Sequence, residues 1–314
     1  MRPILSVVIP THNPNQFRLQ RTLDGLRSQT LPKDKWEMIV VDNATPDPQY
    51  IYNFDLSWHI SAKVIVEKSL GLTRARLAGI QSCSGDYIVF VDDDNVLDQD
   101  YLSNVIDIFA NYPHIGGIGG KSLPDFEITP EKWIKDFWVC LALRDLGDEI
   151  LTYTYNQTSS SHKEHPSFSP IGAGMAIRQK AGLQYVDILR ENPNRTSLDR
   201  TGKSLQSGGD CDINLTLLEH GRGIGYFPQL RLTHLISANR VTKDYLAKLN
   251  YASSRSWIQV LDFHKIRPWK KISSWTVMPR KIKAFFNYQA WKNPESFVKW
   301  RGACGTFEAL ARLS

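Results

Sequence analysis

Tyr87-Ile-Val-Phe-Val-Asp-Asp-Asp-Asn95 decides how the rest of this chain is read: a run of strand-forming apolar residues ends at once on three carboxylates. Strands of a parallel sheet are covered on both faces and read as continuous apolar runs. Ligand sites of open α/β sheets lie beyond the carboxyl ends of such strands. Three adjacent acids there repel one another unless a positive group sits among them, and a hard divalent cation shared with substrate phosphates meets that need. The stretch therefore predicts a metal and phosphate site at the strand end. Solvated turn residues capping the next helix are the plainer alternative, and that role suits Asp98 or Asp100 better than Asp92–Asp94.

Outward from this strand the chain alternates. Strand Leu5–Ile9 is followed by the loop Pro10-Thr-His-Asn-Pro-Asn15 and a helix around Phe17–Ser28, with apolar Phe17, Leu19, Leu23 and Leu26. Strand Met38–Val41 ends on Asp42-Asn43, and strand Lys63–Val66 leads through Gly71 into a helix over Thr73–Ser82. A helix near Tyr101–Asn111 precedes a strand over Ile115–Lys121. Strands alternating with helices imply βαβ units and an α/β fold. The polar patch Thr158-Ser-Ser-Ser-His162 reads as a mobile loop between Leu151 and Pro170. Two other patterns fail on spacing. Asp92, Asp94 and Val96 begin like a calcium loop, but Leu97 stands where glycine is needed. Gly120-Lys121-Ser122 ends like a phosphate loop, but Ile115 stands where its first glycine belongs.

With 314 residues, 42% hydrophobic and 22% charged, the composition is that of an ordinary globular protein able to bury one large core plus an appendage. Four scattered cysteines with no CxxC pair argue against a zinc site and a disulfide framework. The chain opens almost directly on a strand, so no signal peptide is expected. No apolar run approaches the roughly 18 residues of a membrane span. A cytoplasmic protein is the expectation. Charge divides the chain. From Asn239 onward there are fifteen Lys and Arg against four Asp and Glu, while the whole chain is +6, so residues 1–238 carry −5. Five of the nine tryptophans also fall after residue 238. The asymmetry predicts a domain over 1–238 and a basic, Trp-rich, mainly helical extension over 239–314.

In order, the blocks Ser6-Val-Val-Ile-Pro-Thr-His-Asn13, Val40-Val-Asp-Asn43, Gly71-Leu-Thr-Arg-Ala-Arg76, Phe90-Val-Asp-Asp-Asp94, Gly172-Ala-Gly-Met-Ala-Ile-Arg178 and Gly208-Gly-Asp-Cys-Asp212 resemble family 2 glycosyltransferases. The resemblance runs from about Leu5 to Tyr251. It implies the GT-A, nucleotide-diphospho-sugar transferase fold, with a mostly parallel central sheet flanked by helices. It implies that Pro10, Thr11, His12 and Asn13 embrace the nucleotide base, with His12 either stacking on it or standing as a plain surface residue. Asp42 then accepts a hydrogen bond from a pyrimidine ring N–H. Arg76 contacts the nucleotide or Asp42, although Leu77 replaces the family's asparagine. Asp92 and Asp94 match the two acids of the DxD motif, with Asp93 secondary between them. Asp92, Asp94 and His234, the last in Tyr226-Phe-Pro-Gln-Leu-Arg-Leu-Thr-His234, are the implied ligands of Mg2+ or Mn2+. Gly172-Ala-Gly174 matches a tight segment beside the donor sugar, where small residues let backbone approach a ligand.

For catalysis the resemblance points to Asp210 as the base, with Gly209 departing from the family's usual glutamate. Asp212 is the reserve base or, alternatively, a cap of a helix over Ile213–His220. The expected activity is an inverting, metal-dependent glycosyltransferase acting on a nucleotide diphosphate sugar, a UDP-sugar, and a hydroxyl of a glycan or lipid-linked acceptor in surface polysaccharide synthesis. Two alternatives stay open: a sugar nucleotidyltransferase, whose Gly-rich basic first loop is missing here, and a non-catalytic nucleotide-sugar-binding subunit, which Gly209 keeps in view. The tail interleaves aromatics and cations in Trp269-Lys-Lys271 and Arg280-Lys-Ile-Lys-Ala-Phe-Phe286. That pattern fits peripheral contact with an anionic membrane, or a packed subdomain with a solvated basic face. No nucleic-acid motif is present, so none is expected as partner.

Overall fold

The computed structural model describes residues 2–47, 53–155, 163–202 and 204–313. The patch Thr158–His162 lies outside the described residues. Strand β1 (Leu5–Thr11) sits inside one mixed sheet, between β2 (Trp36–Asn43), which pairs onward with β3 (Ala62–Glu67), and β4 (Tyr87–Phe90). All three pairings are parallel. The sheet continues beyond β4, whose next neighbour in space comes from much later in the chain. Residues Asn95–Leu97 (β5), Ile115–Phe126 (β6), Leu151–Tyr153 (β7), Ala176–Arg178 (β8) and Gly223–Ile236 (β9) complete it, in the order β4-β8-β6-β9-β5 with β7 on β9. Strand β8 is antiparallel to both neighbours, and β6 and β9 run parallel.

Alternation along the strands explains why both faces are covered. Leu5, Val7 and Ile9 of β1 join one buried cluster and Val8 the other, as period-two geometry requires. The first cluster receives Leu19, Leu23 and Leu26 from α1 (Gln16–Arg27), and the second receives Ile80 from α2 (Leu72–Ser82). Full burial of each such side chain contributes roughly 1.5–3 kcal/mol. Helix α3 (Tyr101–Asn111) covers the first face with Val105 and Phe109, and α4 (Gln179–Glu191) covers the second with Tyr185 and Leu189. Gly79 lets α2 lie close on β1, since a Cβ there would stand 2.3 Å from Val8 Cγ1. Helix α5 (Gly209–Glu219) adds Ile213 and Leu217 to the same face.

After β9 the chain is helical: α6 (Lys243–Phe263), α7 (Val277–Asn287) and α8 (Pro294–Ala311). These helices share cores with the earlier residues. Leu246, Leu249 and Val298 pack with Ile134, Phe137 and Leu141, and Val260 with Leu198 and Leu215. Several expectations need correction. Phe17 is exposed rather than core, because a position two residues from Leu19 lies roughly 200° round the helix, opposite the buried face of Leu19, Leu23 and Leu26. Strand β6 runs on to Phe126, past two irregularities in its pairing with β9. The short β5, directly after the acids, was not expected.

Candidate active site

Strand β5 explains the site. The chain turns at the acids, with Asn95 N–H bonded to Asp92 O at 3.0 Å, and β5 then pairs antiparallel with β9 so that Asn95 faces His234. That register brings Asp94 Oδ1 to 3.3 Å from His234 Nε2. Arg240, from the turn following β9, reaches both: its Nη1 lies 2.9 Å from Asp94 Oδ2 and 3.2 Å from His234 Nε2. On the other side, Arg76 Nη2 of α2 lies 3.5 Å from Asp92 Oδ1, and its Nη1 lies 3.8 Å from Asp199 Oδ2. The guanidinium also sits over the Phe90 ring, 5.5 Å from its centroid. Asp93 points to β1 and accepts the Thr11 hydroxyl.

The electrostatics follow from crowding. Burial works to raise the Asp94 carboxyl, but His234 and Arg240 outweigh it and hold Asp94 well below the usual carboxylate range. Burial and the Asp94 charge push Asp93 well above that range. Burial raises Asp92 too, against the opposing pull of Arg76. Burial disfavours the Arg76 charge, yet Asp92 and Asp199 keep it cationic. Among the described residues no group of three or more His, Cys, Asp or Glu side chains is set to hold a metal. The donors present nevertheless suit one: a carboxylate and an imidazole nitrogen face each other in Asp94 and His234. Asp92 Oδ1 is buried and accepts no hydrogen bond, although the Arg76 guanidinium stands 3.5 Å from it.

Of the predicted residues, Pro10, Thr11, His12, Arg76, Asp92, Asp93, Asp94, Gly172, Ala173, Asp210 and His234 line one cleft of about 310 Å3. Within it His12 Nδ1 meets Asn43 O at 2.7 Å, which fixes the ring. Asp210 is held by two backbone donors, Gly172 N–H at 3.0 Å and Cys211 N–H at 2.8 Å. Four predicted residues stand apart from the cleft wall. Asn13 has a left-handed φ of 49° and its N–H bonds to Thr45 Oγ1, so it shapes the first loop. Asp42 is buried and accepts the Thr45 N–H at 3.0 Å. Gly174, at φ +72°, makes room for Tyr101 and Leu232 rather than for a ligand, and Gly172 makes room for Arg76, whose Nη2 would be 2.5 Å from an added Cβ. Asp212 is fully buried in α5 and takes Tyr185 Oη at 2.8 Å, Arg195 Nη2 at 2.8 Å and His264 Nε2 at 3.0 Å. It neither reaches the cleft nor caps a helix: α5 begins at Gly209, and Gly208 caps it without a side chain.

The structure adds Asn43, Asp199, Arg200 and Arg240 to the cleft. Asn43 pins the loop before α2 by accepting the Gly71 N–H at 2.7 Å and donating to Ser69 O at 2.9 Å. Asp199 fills the space beside Gly209, where a Cβ would stand 2.2 Å from its Oδ2. A carboxylate thus stands beside position 209, reaching it from ten residues upstream. No motif surrounds Asp199-Arg200, and Arg240 reads from sequence as one more charge of the basic tail. Asn43 was the legible one, ending its strand on a polar pair.

The chain is similar to several known glycosyltransferases. Glycosyltransferase AglE of Haloferax volcanii is 33% identical over 102 residues, covering 32% of this chain and 33% of that protein. Uncharacterized glycosyltransferase EpsJ of Bacillus subtilis is 34% identical over 107 residues, 34% of this chain and 29% of EpsJ. Poly(ribitol-phosphate) beta-N-acetylglucosaminyltransferase TarS of Staphylococcus aureus is 24% identical over 138 residues, 40% of this chain and 24% of TarS. The matched stretch therefore spans about a third or less of each of these relatives. The crystal structure of S. aureus TarS 1–349 in complex with UDP superposes with a TM-score of 0.51 at 15% identity, covering 99% of this chain and 90% of that one, a likeness that concerns the GT-A fold alone. The family model for glycosyl transferase family 2 matches residues 6–181, from β1 through the acids to the start of α4, and the chain belongs to that family.

Proposed function

We propose that this protein transfers a sugar from a nucleotide diphosphate donor, a UDP-sugar, to a hydroxyl of a glycan or lipid-linked acceptor, with inversion at the anomeric carbon. The observation that carries this is the β5–β9 register, which joins Asp94 to His234 in the same cleft as Asp210. Pro10, Thr11 and His12 form the wall on which the base rests, and Arg76 and Arg200 present cationic charge toward the phosphates. Asp92, Asp94 and His234 would hold Mg2+ or Mn2+. When bound, the cation neutralises the diphosphate leaving group as a Lewis acid. Asp210, oriented by its two backbone N–H bonds, takes the proton of the acceptor hydroxyl as that oxygen attacks. The new bond joins acceptor oxygen to the anomeric carbon while the bond to the diphosphate breaks. One base and one in-line displacement give inversion.

The names of relatives support a polymeric acceptor: TarS and a Bacillus spizizenii relative are named as transferring sugars to poly(ribitol-phosphate). With an acceptor of that kind, the setting proposed is surface polysaccharide synthesis, with the enzyme working peripherally on the cytoplasmic face of an anionic membrane. No helix among the described residues is long and apolar enough to cross a membrane. The Asp199 carboxylate beside Gly209 keeps an acid in the cleft wall and weakens the case for a non-catalytic subunit. The test pairs binding with turnover. UDP should raise the melting temperature in the presence of Mn2+ more than in chelator, because a ligand of the folded state stabilises it by mass action. Asp210→Asn should keep that shift and lower transfer by about 10²–10⁴-fold. Full transfer in chelator refutes the cation, and full transfer by Asp210→Asn refutes the base.

A further inference from the structure

Helix α7 carries its apolar stripe on the outside. Met278, Ile282 and Phe286 recur at every fourth position, along one side of the helix, and are 61%, 56% and 61% exposed. Trp275 before the helix and Trp291 after it are 79% and 60% exposed. With Tyr288 these make six of the fifteen large apolar side chains exposed among the described residues, gathered into seventeen positions. The inner side of α7 is satisfied. Ala284 is buried, the Phe285 ring lies 5.2 Å from that of Trp300, Trp300 Nε1 donates to Lys281 O at 3.0 Å, and Lys281 pairs with Glu308. A helix of a soluble fold ordinarily turns such a stripe toward the core. Here the stripe has no counterpart among the described residues.

Charge indicates what covers it. Between Asp262 and Glu295 the chain has eight Lys and Arg and no acid. Lys283, exposed and next to Ile282, flanks the stripe, while Arg280, roughly 160° round the helix from Ile282, lines with Lys283 and Lys299 a groove against α6 and α8. A second copy of the chain would set this cationic surface against itself, which is repulsive. An anionic bilayer complements both parts: its headgroups meet the cations, and the acyl boundary takes the apolar face of a helix lying in the plane, with tryptophan at the interface. Trp269 takes no part, because it packs beside Val260 and Leu261 in the shared core.

We infer that α7 is the membrane-docking element, inserting Met278, Ile282 and Phe286 among anionic headgroups while Lys283 at the flank of the stripe faces the lipid phosphates. The inference rests on the peripheral membrane contact proposed above and gives it a surface; it is independent of donor and base.

The test sediments the full chain with vesicles of phosphatidylcholine alone and of equal parts phosphatidylcholine and phosphatidylglycerol. Binding is expected to the mixed vesicles and at least about tenfold weaker to phosphatidylcholine, because the basic surface needs anionic lipid. Ile282→Ser with Phe286→Ser should lower partition by about tenfold or more at every salt concentration, since insertion is not ionic. Lys283→Gln should cost about fivefold at low salt, a difference that fades as salt screens the surface. All three side chains are exposed, so the melting temperature and the UDP-dependent stabilisation should stay at wild-type values. This separates a failed docking face from a failed donor site. Failure of the wild-type chain to bind mixed vesicles overturns the inference. Binding indifferent to the two serines assigns the surface to polyanions in general, and a concentration-dependent dimer lost in that variant assigns it to a second copy; either result also overturns it.

Discussion

One methyl group at position 209 probes the wall of the cleft. Gly209 opens α5, and a Cβ on it would lie 2.2 Å from Asp199 Oδ2 and 2.9 Å from its Cγ, where ordinary contact begins at 3.4 Å. In Gly209→Ala the carboxylate must therefore retreat by roughly 1 Å, and overpacking of this kind costs about 1–3 kcal/mol. Asp199 is buried, accepts Thr73 Oγ1 at 3.4 Å and stands 3.8 Å from Arg76 Nη1. Its retreat weakens the support of a buried guanidinium that also faces Asp92. At about 2–4 °C per kcal/mol for large domains, the melting temperature should fall by roughly 2–12 °C. Donor affinity should fall with it, because Arg76 loses one of the two carboxylates that orient it. The decisive measurement is a double-mutant cycle with Asp199→Ala. Removing the struck carboxylate should make the methyl at 209 cheaper, with a coupling of about 0.5–3 kcal/mol. If Gly209→Ala melts like the wild type, or costs the same with and without the Asp199 carboxylate, the contact does not govern the site.

Two further outcomes follow from the described contacts. Gly172→Ala should disturb Arg76 directly, since the added Cβ would stand 2.5 Å from its Nη2; donor KM should rise several-fold, and an unchanged KM would show that Arg76 moves aside without effect. The anchor of α6 should depend on pH. Burial works to lower His264, but hydrogen bonds to Asp212 and Glu219 outweigh it and raise its pKa above the ordinary value. Its contribution is therefore full below about pH 6.5 and lost as pH climbs through the raised value. Burial works to raise Glu219, yet His264 and Lys163 hold it down to about 2, so its contribution holds above the ordinary carboxylate range and fades as pH falls toward that value. His264→Gln should flatten the decline in melting temperature above pH 6.5; parallel wild-type and variant curves would show that His264 carries no linked proton.

The legible parts of this protein were those governed by local physics. Continuous apolar runs announced β1, β2 and β4, because strands covered on both faces have no polar alternation to hide in. The three acids marked the cleft because their charge has no other place in a buried strand end. What escaped depended on distant pairing. Strand β5 has three residues and no pattern of its own; it exists because β9 offers an edge. Asp199 and Arg240 lie in segments with no periodicity, and their roles come from where the fold brings them. Asp212, two positions from Asp210, stood as the reserve base. The helix turns it roughly 200° away, into the core with Arg195 and His264.

The β5–β9 pairing also sets which lengths the chain can vary. Side chains along a strand alternate between faces, so a slip of one residue would set Thr233 opposite Asn95 and turn the imidazole of His234 toward the other side of the sheet. Insertions in the surface connections, such as the stretch between Arg144 and Leu151, change no pairing that the cleft depends on. An insertion between Asp94 and Leu97 would separate the two halves of the site while leaving every side chain in it chemically intact. The spacing across those few positions is therefore as much a part of the active site as the acids themselves.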